Sequence, residues 1–254
     1  MPVLPKPELE MVLKYRKKEA HNRVRICYTF RMRILFASLL LILIVPAYAS
    51  VIVGAGVTEI SPPPSVMPGQ LLSDSTIYLF NEQVDLTLAS AVSVGISEPG
   101  TYIVGTSTFS PITIAAGVTV NSYLLRASAA TNPPGQGYRD FTGTVSFSNG
   151  EKIIGIIIGY ANLAATDAML GAPGTSYPPS SYTAGGLENN DEVILSANDE
   201  SVFVNFHVNA DTEGMDMIRI LTATPEPADF LLMGSGLAVI GFLKRKTLRR
   251  AFQR

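Results

Sequence analysis

From Phe141 to Ser148 apolar and polar residues take turns without a break. Phe141, Gly143, Val145 and Phe147 fall on one side, and Thr142, Thr144, Ser146 and Ser148 on the other. A period of two is the signature of a half-buried β-strand, because successive side chains leave a pleated backbone in opposite directions. Ser201–Val208 repeats the pattern, with Val202, Val204, Phe206 and Val208 on one side. Val84, Leu86 and Leu88 oppose Asp85 and Thr87, and Val118, Val120 and Leu124 continue it. Clean alternation belongs to antiparallel sheets with one face on the core and one in water.

Turn chemistry spaces these segments: Glu98-Pro99-Gly100, Asn132-Pro133-Pro134-Gly135, Ser148-Asn149-Gly150 and Asn198-Asp199-Glu200. Asn149-Gly150 suits a type I′ turn, since both residues tolerate positive φ. Such a turn predicts a hairpin of Phe141–Ser148 against 152–160. That second segment, Ile153-Ile154-Gly155-Ile156-Ile157-Ile158-Gly159-Tyr160, is apolar on both faces, which predicts a central strand covered on both sides. One helix is expected, at Ala161–Leu170, with Gly171 as its C-cap. Pro62-Pro63-Pro64 reads as a stiff lead-in. The fold class expected is all-β: an antiparallel β-sandwich of jelly-roll or immunoglobulin-like type with one short helix. A closed barrel is the alternative that alternation alone leaves open.

Charge divides the chain in three. Residues 1–49 hold nine Lys/Arg against three Asp/Glu, a balance of +6. Residues 50–224 hold four against sixteen, or −12, and residues 225–254 six against two, or +4. A body this poor in cations is not a nucleic-acid binder, which needs Lys/Arg to neutralise phosphates. A hydrophobic share of 47% is too high for a disordered chain.

The basic ends carry addresses. Arg31 and Arg33 precede the uncharged run Ile34–Val45, followed by Pro46 and the small-residue pattern Ala47-Tyr48-Ala49. Basic region, apolar region and A-x-A site make a secretory signal peptide over 32–49, cut by signal peptidase between Ala49 and Ser50. The run spans about 18 Å as a helix, short of a hydrocarbon core of about 30 Å. Residues 1–31 are expected to be a mis-assigned start or a disordered extension, with translation beginning at Met32. Cys27, the one cysteine, lies upstream, so the exported body has neither a disulfide nor a thiolate nucleophile. About 175 residues remain, enough to build a core.

The tail runs Pro225-Glu226-Pro227, then the uncharged Phe230–Leu243, then Lys244, Arg245, Lys246, Arg249 and Arg250. The positive-inside rule keeps that cluster in the cytoplasm and the acidic body outside. The apolar segment spans only about 21 Å, a marginal anchor suited to later removal. This arrangement resembles the PEP-CTERM sorting signal of Gram-negative bacteria, which joins Pro-Glu-Pro to a glycine-punctuated hydrophobic helix and an Arg-rich end. The resemblance covers about 30 residues. It departs in the trailing Ala251–Arg254 and in Asp229, where the family has small or hydroxylated residues. It implies transient inner-membrane anchoring over 225–254 and recognition by an exosortase, a membrane enzyme that cleaves near the tripeptide. It further implies release to the cell surface in an exopolysaccharide or biofilm setting. The stretches Ile154–Ile158, Asp167–Thr175, Gly186–Glu188 and Asp216–Ile220 also resemble a body recurring among such proteins, to which no chemistry is attached.

Candidate chemistry in the body, residues 50–224, is sparse. His207, the one histidine of the exported chain, falls on the side of its strand opposite the valines, without a nucleophile or orienting acid nearby in sequence. No G-x-S-x-G or H-E-x-x-H pattern occurs. Gly54-Ala55-Gly56 lacks the third glycine of a dinucleotide loop, whose place Glu59 takes. Glu188, Asp191, Glu192, Asp199, Glu200, Asp211, Glu213 and Asp216 could offer oxygens to calcium, but their spacing fits solvated turns better. Tyr102, Tyr123, Tyr138, Tyr160, Tyr177 and Tyr182 could stack on sugar rings, with Pro178–Tyr182 as an expected exposed loop, although tyrosine is also a strand former. A non-catalytic structural or adhesive module without cofactor is the expectation. A carbohydrate-binding module is the alternative, and a secreted hydrolase the less favoured one.

Overall fold

The computed structural model describes residues 51–130, 137–182, 185–188, 190–211 and 214–223, all within the unit Ala49–Arg254. Among these, the chain forms β1 (Val51–Val53), β2 (Val57–Glu59), β3 (Ile77–Thr87), β4 (Val92–Val94), β5 (Gly100–Ile103), β6 (Ile112–Ile114) and β7 (Thr119–Ser128). Then follow β8 (Tyr138–Phe147), β9 (Lys152–Ile157), α1 (Tyr160–Leu170), β10 (Glu192–Leu195), β11 (Ser201–Asn209) and β12 (Met215–Ala223). A first sheet has the order β1-β8-β11-β10-β5 and a second β2-β3-β7-β12-β9, with a separate ribbon β4-β6. Every pairing is antiparallel except β2 with β3. The protein is mostly β, and no sheet closes into a barrel.

The two sheets share one core. Phe141, Val145 and Phe147 of β8 and Val202, Val204, Phe206 and Val208 of β11 meet Leu79, Tyr123, Leu125, Ile218 and Ile220 of the second sheet. The alternation expected for β8 and β11 is observed, since their polar partners stay on the wetted side. Gly143 sits at the closest approach. A β-carbon there would lie 2.4 Å from Val57 Cγ2 and 3.2 Å from Ile77 Cδ1, so only glycine lets β2 and β3 close on β8.

The second sheet is covered on its other face too. A second core joins Phe80, Leu124, Met215, Met217 and Leu221 to Leu163 and Leu170 of α1, Val92 and Val94 of β4, and Ile114 of β6. Both faces of β7 and β12 are therefore buried. Helix α1 is built from strong helix formers, among them four alanines and Leu163 and Leu170. Gly171 ends it by donating its N–H to Asp167 O at 2.9 Å, but its backbone is extended (φ −67°, ψ 155°) rather than left-handed. Glycine is needed there for room, because a β-carbon would meet Asp167 O at 2.5 Å. No helix among the described residues is long and apolar enough to cross a membrane.

Four expectations are corrected. The turn at Asn149-Gly150 forms, with φ of 60° and 80° and Glu151 N–H donating to Ser148 O at 3.2 Å, yet β8 and β9 do not pair. Glu151 explains why. Its fully buried carboxylate accepts from Asn121 Nδ2 at 2.7 Å, from the Tyr123 hydroxyl at 3.3 Å and from the Thr222 hydroxyl, drawing the chain into the second sheet. The Asn198–Glu200 turn fills the gap, since Phe147 N–H donates to Glu200 O and Ile153 N–H to Asp199 O, both at 2.7 Å. Second, β9 is an edge strand of its sheet, not a central one. Its faces are largely covered, and its open edge is partly closed by the backbone of Gly95 and Ile96 bonding to Ile156. Third, Val84 is 61% exposed, because β3 bulges around Gln83 and Asp85 takes a φ of 51°. Fourth, Pro62–Pro64 follows two strands and is no lead-in. Pro63 O and Pro64 O instead accept from Thr175 Oγ1 and Ser176 N–H.

Candidate functional site

The outer face of the first sheet carries the side chains that water, and therefore a partner, can reach. Opposite positions on β8 and β11 put Asp140 beside His207, Thr142 beside Asn205, Thr144 beside Phe203 and Ser146 beside Ser201. Beyond them lie Glu192 and Ile194 of β10 and Thr101 and Ile103 of β5 on one side, and Ile52 of β1 on the other. His207 Nδ1 lies 2.6 Å from Asp140 Oδ1. A carboxylate only accepts, so Nδ1 carries the proton of this bond. The Tyr138 ring stacks on the imidazole, with centroids 4.5 Å apart and planes inclined by 6°. The histidine thus has the orienting acid that its sequence neighbours lack, and a phenol ring covers one of its faces.

A second polar cluster is sealed between α1 and the second sheet. Arg219 Nε and Nη2 donate to Glu82 Oε2 and Oε1 at 2.6 and 2.8 Å, a two-pronged pair in which both side chains are fully buried. Arg219 also reaches Asp167 Oδ1 at 2.8 Å and Thr166 Oγ1 at 2.7 Å. Glu82 accepts further from the hydroxyls of Tyr177 at 2.7 Å and Ser122 at 2.8 Å. Burial works against the Arg219 charge, but Glu82 and Asp167 outweigh it and hold the guanidinium above its usual range. Burial also raises the Tyr177 phenol, with the Glu82 charge adding to it. With its donors and acceptors matched this way, the cluster pins α1 to β3 and β12. Beside it, Tyr177 and Tyr182 line a cavity of about 10 Å³, room for one water molecule. Both rings pack on the second core, so Tyr182 is half-buried, while Pro179, Ser180 and Ser181 of its loop are exposed as expected.

Of the late acidic residues, Glu188, Asp191 and Asp216 draw together. Asp191 is fully buried and accepts from His207 N–H at 2.6 Å and from Glu188 N–H. Burial pushes its carboxyl up to about 6, against the pull of those two amides, and the Glu188 charge adds to the rise. Asp216, inside the core between the sheets, is raised further by burial and by Asp191 and Glu188, and its Oδ2 has no protein partner. Glu200 pairs with Lys152 at 2.7 Å, and Asp199 sits in a turn with φ 57°. Among the described residues no three His, Cys, Asp or Glu side chains are placed to hold a metal ion.

The body's four cations are all engaged internally. Arg219 is paired as above, and Arg126 is fully buried with Nη1 on Gln70 O and Nη2 on Met67 O. Arg139 bonds Asp74, and Lys152 bonds Glu200 and Asn198 O. Comparison with known protein families, curated proteins and solved structures finds no match. The remaining predicted positions lie outside the described residues: Ala47, Ala49 and Ser50 at the leader, Pro225-Glu226-Pro227, and Lys244, Arg245, Lys246, Arg249 and Arg250.

Neither Glu82 nor Glu151 stands out in sequence as a buried group. The one available signal was an acidic residue inside a strand-like segment, at Glu82 amid Tyr78–Leu88.

Proposed function

We propose that this chain is an exported bacterial surface or extracellular-matrix protein, sorted through a PEP-CTERM signal by an exosortase-type membrane enzyme. Its body, in this reading, is a non-catalytic structural or adhesive β-sandwich of jelly-roll or immunoglobulin-like type. The observation that carries the sorting is the order of the tail: Pro225-Glu226-Pro227, an uncharged segment, then five Lys/Arg within seven residues, in a chain whose residues 32–49 read as a secretory leader. Two open sheets across one core support the sandwich. Replacing Pro225, Glu226 and Pro227 together by alanine is expected to leave uncut protein in the inner membrane. Unchanged arrival at the cell surface would refute the sorting role.

One observation favours a second reading. The Asp140–His207 pair has the orientation expected of a general base, which suits a secreted hydrolase. Turnover of glycan or ester substrates that disappears in His207→Ala would establish it and displace the non-catalytic reading.

A further inference from the structure

We propose that the bare outer face of the first sheet, centred on the stacked Tyr138 and His207 rings, binds a neutral, hydroxyl-rich polysaccharide. This rests on the reading of the body as a surface module and names its partner. The second sheet has its outer face covered by α1, the β4-β6 ribbon and the loops packed on the second core. No described element covers the first sheet in that way, and Tyr138, Asp140, Thr142 and Thr101 are exposed on it.

Three features select the partner. The first is charge: the face carries no Lys or Arg, and the body's four cations are already engaged internally. A phosphate or uronate polymer would meet only carboxylates and find no counter-charge. Asp140 is itself occupied by His207, so the centre of the face offers no cluster of free anions for a polycation either. The second is hydrogen bonding. Thr142, Thr144, Ser146, Ser201, Asn205 and Asn209 supply rows of hydroxyls and amides, groups that both donate and accept as sugar hydroxyls do.

The third is a platform. Tyr138 is 53% exposed and held parallel to an imidazole that Asp140 orients, while Phe203 and Ile194 stand opposite each other on β11 and β10. Rigid aromatic and apolar ground at little entropic cost suits the C–H faces of sugar rings. From Tyr138 to Ser146 the row runs about 27 Å at strand rise, a length that suits a chain of sugars rather than one ring.

The test is retention of the purified full chain, in detergent, on immobilised neutral hexasaccharides: β-1,4-glucan, β-1,3-glucan and mannan. Alginate and chitosan serve as the charged arms. At least one neutral glycan is expected to be retained. Tyr138→Ala should weaken retention at least tenfold with an unchanged melting temperature. Thr142→Lys, at an exposed position, should do the same, and Tyr182→Ala should have no effect. Retention on no neutral glycan, retention on a charged polymer alone, or retention indifferent to both face variants would overturn the proposal. Self-association through this face in place of glycan binding would also overturn it. Release of reducing ends from a retained glycan would support the face and remove the non-catalytic reading. A negative binding result leaves the sorting of the tail standing, because that is read in the host and not on the column.

Discussion

Glu82 and Asp216 are both buried carboxylates, and their surroundings give them opposite consequences. Glu82 is matched by a two-pronged guanidinium and two hydroxyls, so its charge holds three elements together. Removing one partner of a buried pair leaves the other charge stranded, and Glu82→Gln should cost about 3–5 kcal/mol in denaturant unfolding. Asp216 has no such partner and faces the charges of Asp191 and Glu188. Its folded carboxyl binds a proton more tightly than its unfolded one, as does that of Asp191, raised to about 6. The folded state thus holds more protons above about pH 4, and stability contributed by these two groups falls as pH rises through that window. Asp216→Asn is expected to raise the melting temperature at pH 7 and to flatten its decline between pH 4 and 7. A steeper decline in the variant would contradict this assignment.

At the scale of elements, what could be read in advance depended on whether a strand had one wet face. β8 and β11 do, so their alternation was visible in Phe141–Ser148 and Ser201–Val208. β7 and β12 are covered on both sides, so the alternation expected from Val118, Val120 and Leu124 is overturned as a sign of one wet face: Asn121, Ser122 and Tyr123 between them are buried too. The Asn149-Gly150 turn was legible because its dihedrals are local. Where β9 would go was not, because Glu151 finds its partners on β7 and β12, 28 to 71 residues away. Glu151→Ala should therefore destabilise the body by several kcal/mol, since it strands the buried amide of Asn121 and two hydroxyls, each costing about 1–3 kcal/mol. Asp140 escaped notice as the partner of His207 for the same reason, lying 67 residues away. Gly143→Val tests the closure of the sheets. Its added carbons collide with Val57 and Ile77, and a loss of about 1–3 kcal/mol or more is expected in thermal unfolding. A neutral outcome would mean the two sheets do not meet at Gly143.

For the molecule as a whole, the division of charge has a structural counterpart. The acidic body uses all four of its cations internally, while the remaining fifteen Lys/Arg belong to the two ends. A processed protein of this kind should pass through a heparin column at low salt, whereas the unprocessed chain, with both basic ends, should be retarded. In the proposed function those two ends are addresses. Its most direct test is the intact mass of the protein recovered from a native host, with and without the host's exosortase. The expected result is a chain beginning at Ser50 in both strains, ending near Pro225-Glu226-Pro227 when the enzyme is present and retaining residues 228–254 when it is absent. A chain that retains residues 228–254 in both strains would contradict it.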